Sequence, residues 1–114
     1  MSADCLFCRI ISGEIPATKL REDDQVVVIR DIGPKAPIHV LLMPRAHIAS
    51  AADLTDADGP MLGHLFAVAA DIAAEEGLDG GWRLVSNVGP DAGQSVPHLH
   101  VHLLGGREMG WPPG

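Results

Sequence analysis

The chain has 114 residues, 46% of them apolar and 20% charged, with a formal net charge of −7. That length and balance suit one globular domain with an ordinary hydrophobic core. The acidic charge, with no basic cluster, argues against nucleic acid as a partner, because neutralising phosphates takes a basic face. A small anionic ligand held by backbone N–H groups and imidazoles stays compatible with it.

The start, Met1-Ser2-Ala3-Asp4-Cys5, lacks the basic residues and apolar run of a signal peptide. No apolar run reaches the roughly 18–20 residues of a membrane span. A cytoplasmic location away from membranes is therefore expected. In a reducing compartment Cys5-Leu6-Phe7-Cys8 reads as metal-binding or redox-active rather than as a structural disulfide.

Residues 4–13 predict a short helix, with Asp4 as cap, Phe7, Ile10 and Ile11 at helical spacing, and Gly13 as terminator. Ile15-Pro16-Ala17 is an extended linker. Lys19 to Glu22 predicts a short strand, Asp23-Asp24 a turn, and Gln25 to Arg30 a strand rich in β-branched residues that ends at Asp31. Gly33 to Pro37 is a loop by its breakers, and His39 to Met43 a strand stopped by Pro44.

Residues 53–77 form the longest helical candidate, with Met61, Leu62, Leu65, Ala69, Ile72 and Ala73 repeating at three and four. Its start carries two competing signals: a Thr55–Asp58 capping box and Pro60, which prefers a first turn. Trp82 to Asn87 is a further strand, with Trp82 expected in the core. Residues 88–97 are a loop, 98–104 a strand, and 105–114 an extended tail. The whole is α+β: one domain of antiparallel strands with one long helix across a face.

Within that last strand, His98-Leu99-His100-Val101-His102 alternates imidazole with apolar residues. Successive strand side chains point to opposite faces, so the three histidines share one. On a straight strand His98 and His102 lie roughly 13 Å apart, whereas Zn–N bonds are about 2.0–2.1 Å. The spacing therefore favours divided labour over one metal held by all three. A central imidazole fixed in one tautomer is suited to nucleophilic attack at a phosphorus or acyl centre. The preceding loop supplies neutral donors for a phosphate: Asn87, Gln94, Ser95 and backbone N–H groups around Gly93.

The pattern His98-Leu99-His100-Val101-His102-Leu103-Leu104 resembles the signature of the histidine triad (HIT) family. Glu14-Ile15-Pro16-Ala17, Asp31-Ile32, Pro34, Ala36-Pro37, His39, Pro44, His47-Ile48, Gly93-Gln94-Ser95, Gly105-Gly106-Arg107 and Trp111-Pro112-Pro113-Gly114 also stand where its nucleotide-binding branch has them. The resemblance spans nearly the whole chain, 1–114, and points to the purine nucleoside phosphoramidase branch.

That resemblance implies a HIT-like sheet of about five strands with a short N-terminal helix, extended across a homodimer. It implies hydrolysis of purine nucleoside 5′-phosphoramidates or aminoacyl adenylates to AMP. His100 is then the nucleophile, with His102 on the phosphate and leaving group, Ser95 assisting and His39 orienting the nucleophile. Asp31 takes the ribose, Phe7, Ile10, Ile29 and Ile32 the purine, and Asn87, Gly93 and Gln94 the phosphate. The tail around Trp111 reaches a neighbouring active site.

Cys5 and Cys8 are half of a tetrahedral zinc site. The resemblance supplies His47 and His98 as the other half, with a structural zinc and no cofactor needed for the chemistry. Blander readings stand beside these: buried thiols at Cys5 and Cys8, hydrogen-bonded core histidines at His98 and His39, a turn cap at Asp31, and no role for His64. The competing functions are a dinucleoside polyphosphate hydrolase, a nucleotide-binding scaffold and an enzyme whose strand histidines hold a catalytic metal. Ala92, Pro97 and Gly110 depart from the family pattern.

Overall fold

Val26–Ile29 and Val40–Met43 are apolar without alternation, which is the signature of strands covered on both faces. The computed structural model, which describes residues 4–114, places them at the centre of the sheet. Met1 to Ala3, on which the leader expectation rests in part, lie outside the described residues.

The elements in chain order are α1 (Leu6–Ile11), β1 (Lys19–Glu22), β2 (Val26–Arg30), β3 (Ile38–Pro44), α2 (Gly59–Glu75), β4 (Trp82–Val85) and β5 (Val101–Gly105). The five strands form one antiparallel sheet in the order β1-β2-β3-β5-β4. Val26, Val28, Val40 and Leu42 face α2, where they meet Leu65, Val68, Ala69 and Ile72. Val27, Ile29, Leu41 and Met43 face the other way, against Phe7, Cys8, Ile10 and Ile11 of α1. The sheet is thus a middle layer, which accounts for the unbroken apolar runs. At the end of β5, Gly105 leaves room for the Leu78 side chain, which a Cβ there would approach to 2.6 Å and displace. No helix of the described residues is long and apolar enough to cross a membrane.

Several expected boundaries move. The cap of α1 is Cys5, not Asp4: its sulfur accepts from the Cys8 N–H at 3.2 Å. The helix expected over 53–77 starts later, after two 3₁₀ turns at Ala51–Asp53 and Asp56–Asp58. Both start signals are used, on different elements. Asp58 accepts from the Thr55 N–H at 2.9 Å on the second turn, and Pro60 sits in the first turn of α2. Trp82 is 40% exposed because it opens an edge strand rather than facing the core.

The histidine strand begins at Val101, not His98. Continuing the β3–β5 register would set Pro44 opposite Leu99, and proline has no N–H for the ladder. The chain instead turns its N–H groups elsewhere: His98 to Val96 O at 2.9 Å and Leu99 to Ile48 O at 2.6 Å.

His64, read without a role, ties α2 to the β1–β2 turn. Its Nε2 lies 2.6 Å from Asp23 Oδ2, while Asp23 Oδ1 accepts from the Gln25 and Val26 N–H groups, both at 2.8 Å. Led by the His64 bond, these hold the Asp23 carboxyl down at about 2. A depressed carboxyl stabilises the fold above its unfolded-state value of 3.8, and that stabilisation is lost as pH falls through about 2. Asp23→Asn is therefore expected to lower the urea midpoint at neutral pH, with the difference from the native chain shrinking on acidification towards about pH 2. Equal midpoints at neutral pH would count against this brace.

Candidate active site and metal centre

The sheet face that carries α1 also carries the imidazoles. Leu41 of β3 pairs with His102 of β5, and His39 pairs with Leu104. His39 and His102 are thus diagonal neighbours on one face, within reach of each other. Their Nε2 and Nδ1 atoms lie 2.9 Å apart. The hydrogen bond that His39 makes from its Nε2 goes to His102, whereas the sequence had it orienting the nucleophile.

Backbone groups set the protonation pattern of three rings directly and of a fourth through one of them. The Pro44 carbonyl lies 2.9 Å from His98 Nε2 and requires N–H there, so the His98 lone pair is on Nδ1. The His98 carbonyl lies 2.7 Å from His100 Nδ1, so His100 keeps its lone pair on Nε2. The Lys35 N–H donates to His39 Nδ1 at 3.0 Å, which puts the His39 proton on Nε2. That proton is donated to His102 Nδ1. A neutral imidazole has one donor and one acceptor, so each assignment follows from the partner.

Cys5 Sγ lies 3.2 Å from His98 Nδ1, and Cys8 Sγ lies 3.4 Å from His47 Nδ1 and 3.6 Å from His98 Nδ1. All four ligand atoms lie within 4.8 Å of one another. Bond lengths of a tetrahedral zinc put ligand atoms about 3.3–3.8 Å apart, so the donor set and spacing fit that ion. The His98 Nε2–H to Pro44 bond holds the ring with Nδ1 directed at the two sulfurs. Cys5, Cys8 and His98 are buried, and His47 is exposed.

A second group, Asp31, His39 and His102, also has its ligand atoms within 4.8 Å. It differs in one respect. The Lys35 amide places a proton on His39 Nε2, the atom facing Asp31 Oδ2 at 3.5 Å and His102. That nitrogen is already a hydrogen-bond donor, so the group is arranged as a relay and not as a cation cage.

Burial pushes His39 and His102 below the ordinary imidazole value, and the neighbouring Asp31 carboxylate only partly offsets this. For His102 the adjacent His100 and His39 act in the same direction as burial. Burial likewise keeps His98 low and neutral, the form that ligates metal.

Phe7 links the two centres. Its ring packs edge-on against His100 at 4.9 Å and His98 at 6.0 Å between centroids. Phe7, Ile10 and Ile29 are buried in one apolar cluster, whereas Ile32 is fully exposed beside them in sequence. Asp31 does cap its turn, Oδ1 accepting from the Gly33 N–H at 2.7 Å, which leaves Oδ2 directed towards His39.

The donor loop is narrower than expected. Gly89 and Gly93, both at positive φ, bracket a 3₁₀ turn over Pro90–Ala92. The N–H groups of Gly93 and Gln94 are already given to Pro90 O and Gly89 O. The Gln94 side chain is also committed, accepting from the Gly89 N–H at 3.0 Å and donating to Ala49 O and Val96 O at 2.8 and 3.0 Å. Gln94 therefore braces the loop and does not offer it a donor. Ser95 is exposed, and neither it nor the half-buried Asn87 side chain forms a hydrogen bond among the described residues. These are the donors left for a ligand.

The tail lies along its own chain. Arg83 donates to Gly110 O at 3.0 Å and sits 5.9 Å over the Trp111 ring, which is 83% exposed. Sequence reasoning missed the Lys35 amide and the Pro44 and His98 carbonyls, because main-chain groups carry no residue-type signal.

The row of His98, His100 and His102 with the His39 partner and the adjoining two-cysteine, two-histidine cluster on one sheet face matches the histidine triad pattern, and comparisons with known proteins agree. Residues 4–111 match the family profile described as "Scavenger mRNA decapping enzyme C-term binding". The chain is 49% identical to an uncharacterised HIT-like protein of Synechococcus elongatus over the full length of both. It is 47% identical to a "14 kDa zinc-binding protein" of Brassica juncea, over 97% of this chain and all of that one. The crystal structure of a HIT family hydrolase from Legionella pneumophila superposes with a TM-score of 0.96 at 50% identity, covering 97% of this chain and 100% of that one. The chain belongs to the HIT family.

Proposed function

We propose that this protein is a nucleotide-binding hydrolase that cleaves the P–N bond of purine nucleoside 5′-phosphoramidates or the acyl-phosphate P–O bond of aminoacyl adenylates. The observation that carries the reading is the bond from His100 Nδ1–H to the His98 carbonyl. It leaves His100 Nε2 with its lone pair, the form that attacks an electrophile. Attack at phosphorus forms a P–Nε2 bond and breaks the bond to the leaving group, which departs as an amine that takes up a proton from solvent or, from an adenylate, as a carboxylate. Water then cleaves the P–Nε2 bond, its hydroxyl going to phosphorus and its proton to solvent, giving AMP and free His100. His102 and Ser95 donate to the phosphoryl oxygens and leaving group, Asn87 donates to the phosphate, and Asp31 accepts from the ribose hydroxyls. Phe7, Ile10, Ile29 and the exposed Ile32 form the apolar side for the base. The Legionella relative, described as a hydrolase, supports the reaction class.

His100→Asn is expected to abolish turnover of an adenosine phosphoramidate, by about 10⁴-fold or more, as loss of a nucleophile does. AMP binding should stay within a few-fold. Steady-state rates and AMP titration check this, and near-normal turnover in the variant would overturn the mechanism. A diadenosine polyphosphate run beside the phosphoramidates separates the two hydrolase readings.

The Cys5, Cys8, His47 and His98 cluster is proposed to hold one structural zinc, supported by its fit and by the zinc-binding name of the Brassica relative. Bound zinc would fix α1 to the strand carrying His98, adding stability that no residue contact replaces. Metal analysis should find one equivalent per chain. Chelation or Cys8→Ser should lower Tm, and restored zinc should reverse the effect of chelation. A melting curve that stays unchanged after metal removal rejects the structural role.

A homodimer is proposed through β4, whose outer edge is unpaired in the chain. Beside it an apolar cleft of about 250 Å³ is lined by Leu62, Phe66, Leu84 and Val85, with Phe66 54% exposed. An open edge next to exposed apolar surface calls for cover. Phe66→Glu is expected to convert a particle of about twice 12.0 kDa into one of 12.0 kDa by light scattering. A native chain already monomeric at micromolar concentration contradicts this.

A further inference from the structure

We propose that Cys5 and Cys8 are a reversible oxidation site, which hydrogen peroxide closes into a disulfide, so that the cluster gives up its metal and α1 loosens at the ring of His100. Oxidation of this pair lies outside the proposed hydrolysis, and it draws on the zinc and nucleotide readings for one readout each. Both cysteines are reduced in the structure. Their sulfurs converge on one atom, Cys5 Sγ at 3.2 Å and Cys8 Sγ at 3.6 Å from His98 Nδ1. The two sulfurs are also within 4.8 Å of each other, as are all ligand atoms of the cluster. The Cys5 side chain already folds back over the first turn of α1, where its sulfur accepts from the Cys8 N–H at 3.2 Å. Closing to the disulfide length of about 2.05 Å is therefore a short movement within one helical turn.

The oxidant reaches the pair from the His47 side. Cys5, Cys8 and His98 are buried, whereas His47 is exposed and its Nδ1 lies 3.4 Å from Cys8 Sγ. Cys8 is thus one ring away from solvent, with Cys5 behind it. Both sulfurs react as thiolates, the form that binds metal. Cys8 Sγ attacks one peroxide oxygen. The S–O bond forms as the O–O bond breaks, and hydroxide leaves and takes a proton from solvent. Cys5 Sγ then attacks the Cys8 sulfur. The S–S bond forms as the S–O bond breaks, and a second hydroxide leaves as water after taking a proton. Two electrons pass from the sulfurs to the peroxide oxygens. A dithiol reductant reverses the change by exchange.

The disulfide takes both sulfurs off His98 and leaves only two imidazoles of the four donors. Six residues of helix then lose their tether to the strand segment that carries His98. Phe7 lies between the two cysteines in the chain and packs edge-on against His100 at 4.9 Å between centroids. Ile10, one turn further on, shares its apolar cluster. Oxidation at the cysteines is thus read at the middle histidine of the triad and on the apolar side proposed for the base.

The test starts from the reduced, zinc-loaded full chain. Hydrogen peroxide is expected to remove two hydrogens from the tryptic peptide that ends at Arg9 and to release one zinc per chain to a chromogenic chelator. The ring protons of His100 should shift in NMR spectra, and dithiothreitol with added zinc should restore all three readouts. AMP affinity should fall about tenfold, the size of one aromatic contact. Cys5→Ser should instead gain oxygen at Cys8, because no second sulfur is present to close the bond. A native chain that gains cysteine oxygen without forming the disulfide, or that does not react, overturns the proposal, with no variant needed. So does a disulfide that retains zinc or leaves the His100 protons unmoved. A reduced chain without zinc sinks the metal reading, and one that binds no AMP sinks the nucleotide reading. In both cases the peptide mass and the His100 shifts still decide the oxidation site.

Discussion

Everything at this site depends on buried imidazoles being paired with main-chain groups whose direction cannot change. A carbonyl accepts and an amide N–H donates, so each fixes one ring nitrogen and leaves the other with the opposite character. Pro44 O does this for His98, His98 O for His100 and Lys35 N–H for His39. The three chemically identical side chains of one short motif thereby acquire three environments: His98 turns Nδ1 to the cysteine sulfurs, His100 leaves Nε2 open, and His102 takes its bond from His39. Burial supports the scheme: it pushes His39, His98 and His102 below the ordinary imidazole value, and charging His39 would also cost the bond from the Lys35 amide.

The fold makes those pairings possible by sandwiching the sheet. α2 covers one face and α1 the other, and the imidazoles lie on the α1 face. A helix of six residues is too short to hold itself on a sheet by propensity. It is held by Phe7, Ile10 and Ile11 in the apolar cluster and by the sulfurs of Cys5 and Cys8 beside His98. Phe7 then packs against the ring of His100, so α1 contacts both the cysteine–histidine cluster and the middle histidine of the triad.

The break in the histidine strand has the same origin. Had the ladder continued to His98, its ring would have stood in a regular row with the other two, roughly 13 Å of strand from first to last. Pro44 cannot donate to a ladder, and the chain leaves the sheet before Val101. That departure brings His98 Nε2 to the Pro44 carbonyl and Nδ1 to the cysteines. The proline ends pairing and at the same time supplies the acceptor that orients His98 towards the cysteines.

Periodicity, a local property, already carries the α+β class, the strands around Val26–Ile29 and Val40–Met43 and the amphipathic helix, and bond lengths carry the expectation that the three histidines are not equivalent. Family motifs extend this to Cys5, Cys8, His47 and His98 as one cluster, which the structure brings together. What the residue string does not carry is that His39 bonds His102, that Gln94 is spent bracing its own loop, that His64 meets Asp23 and that Trp82 opens an exposed edge. The tertiary structure also chose each tautomer. Hydrogen-bond partners such as the Lys35 amide and the Pro44 carbonyl are main-chain atoms common to almost every residue, so nothing in the residue string marks them. Their effect exists only once strand register and loop closure bring them to a particular ring nitrogen.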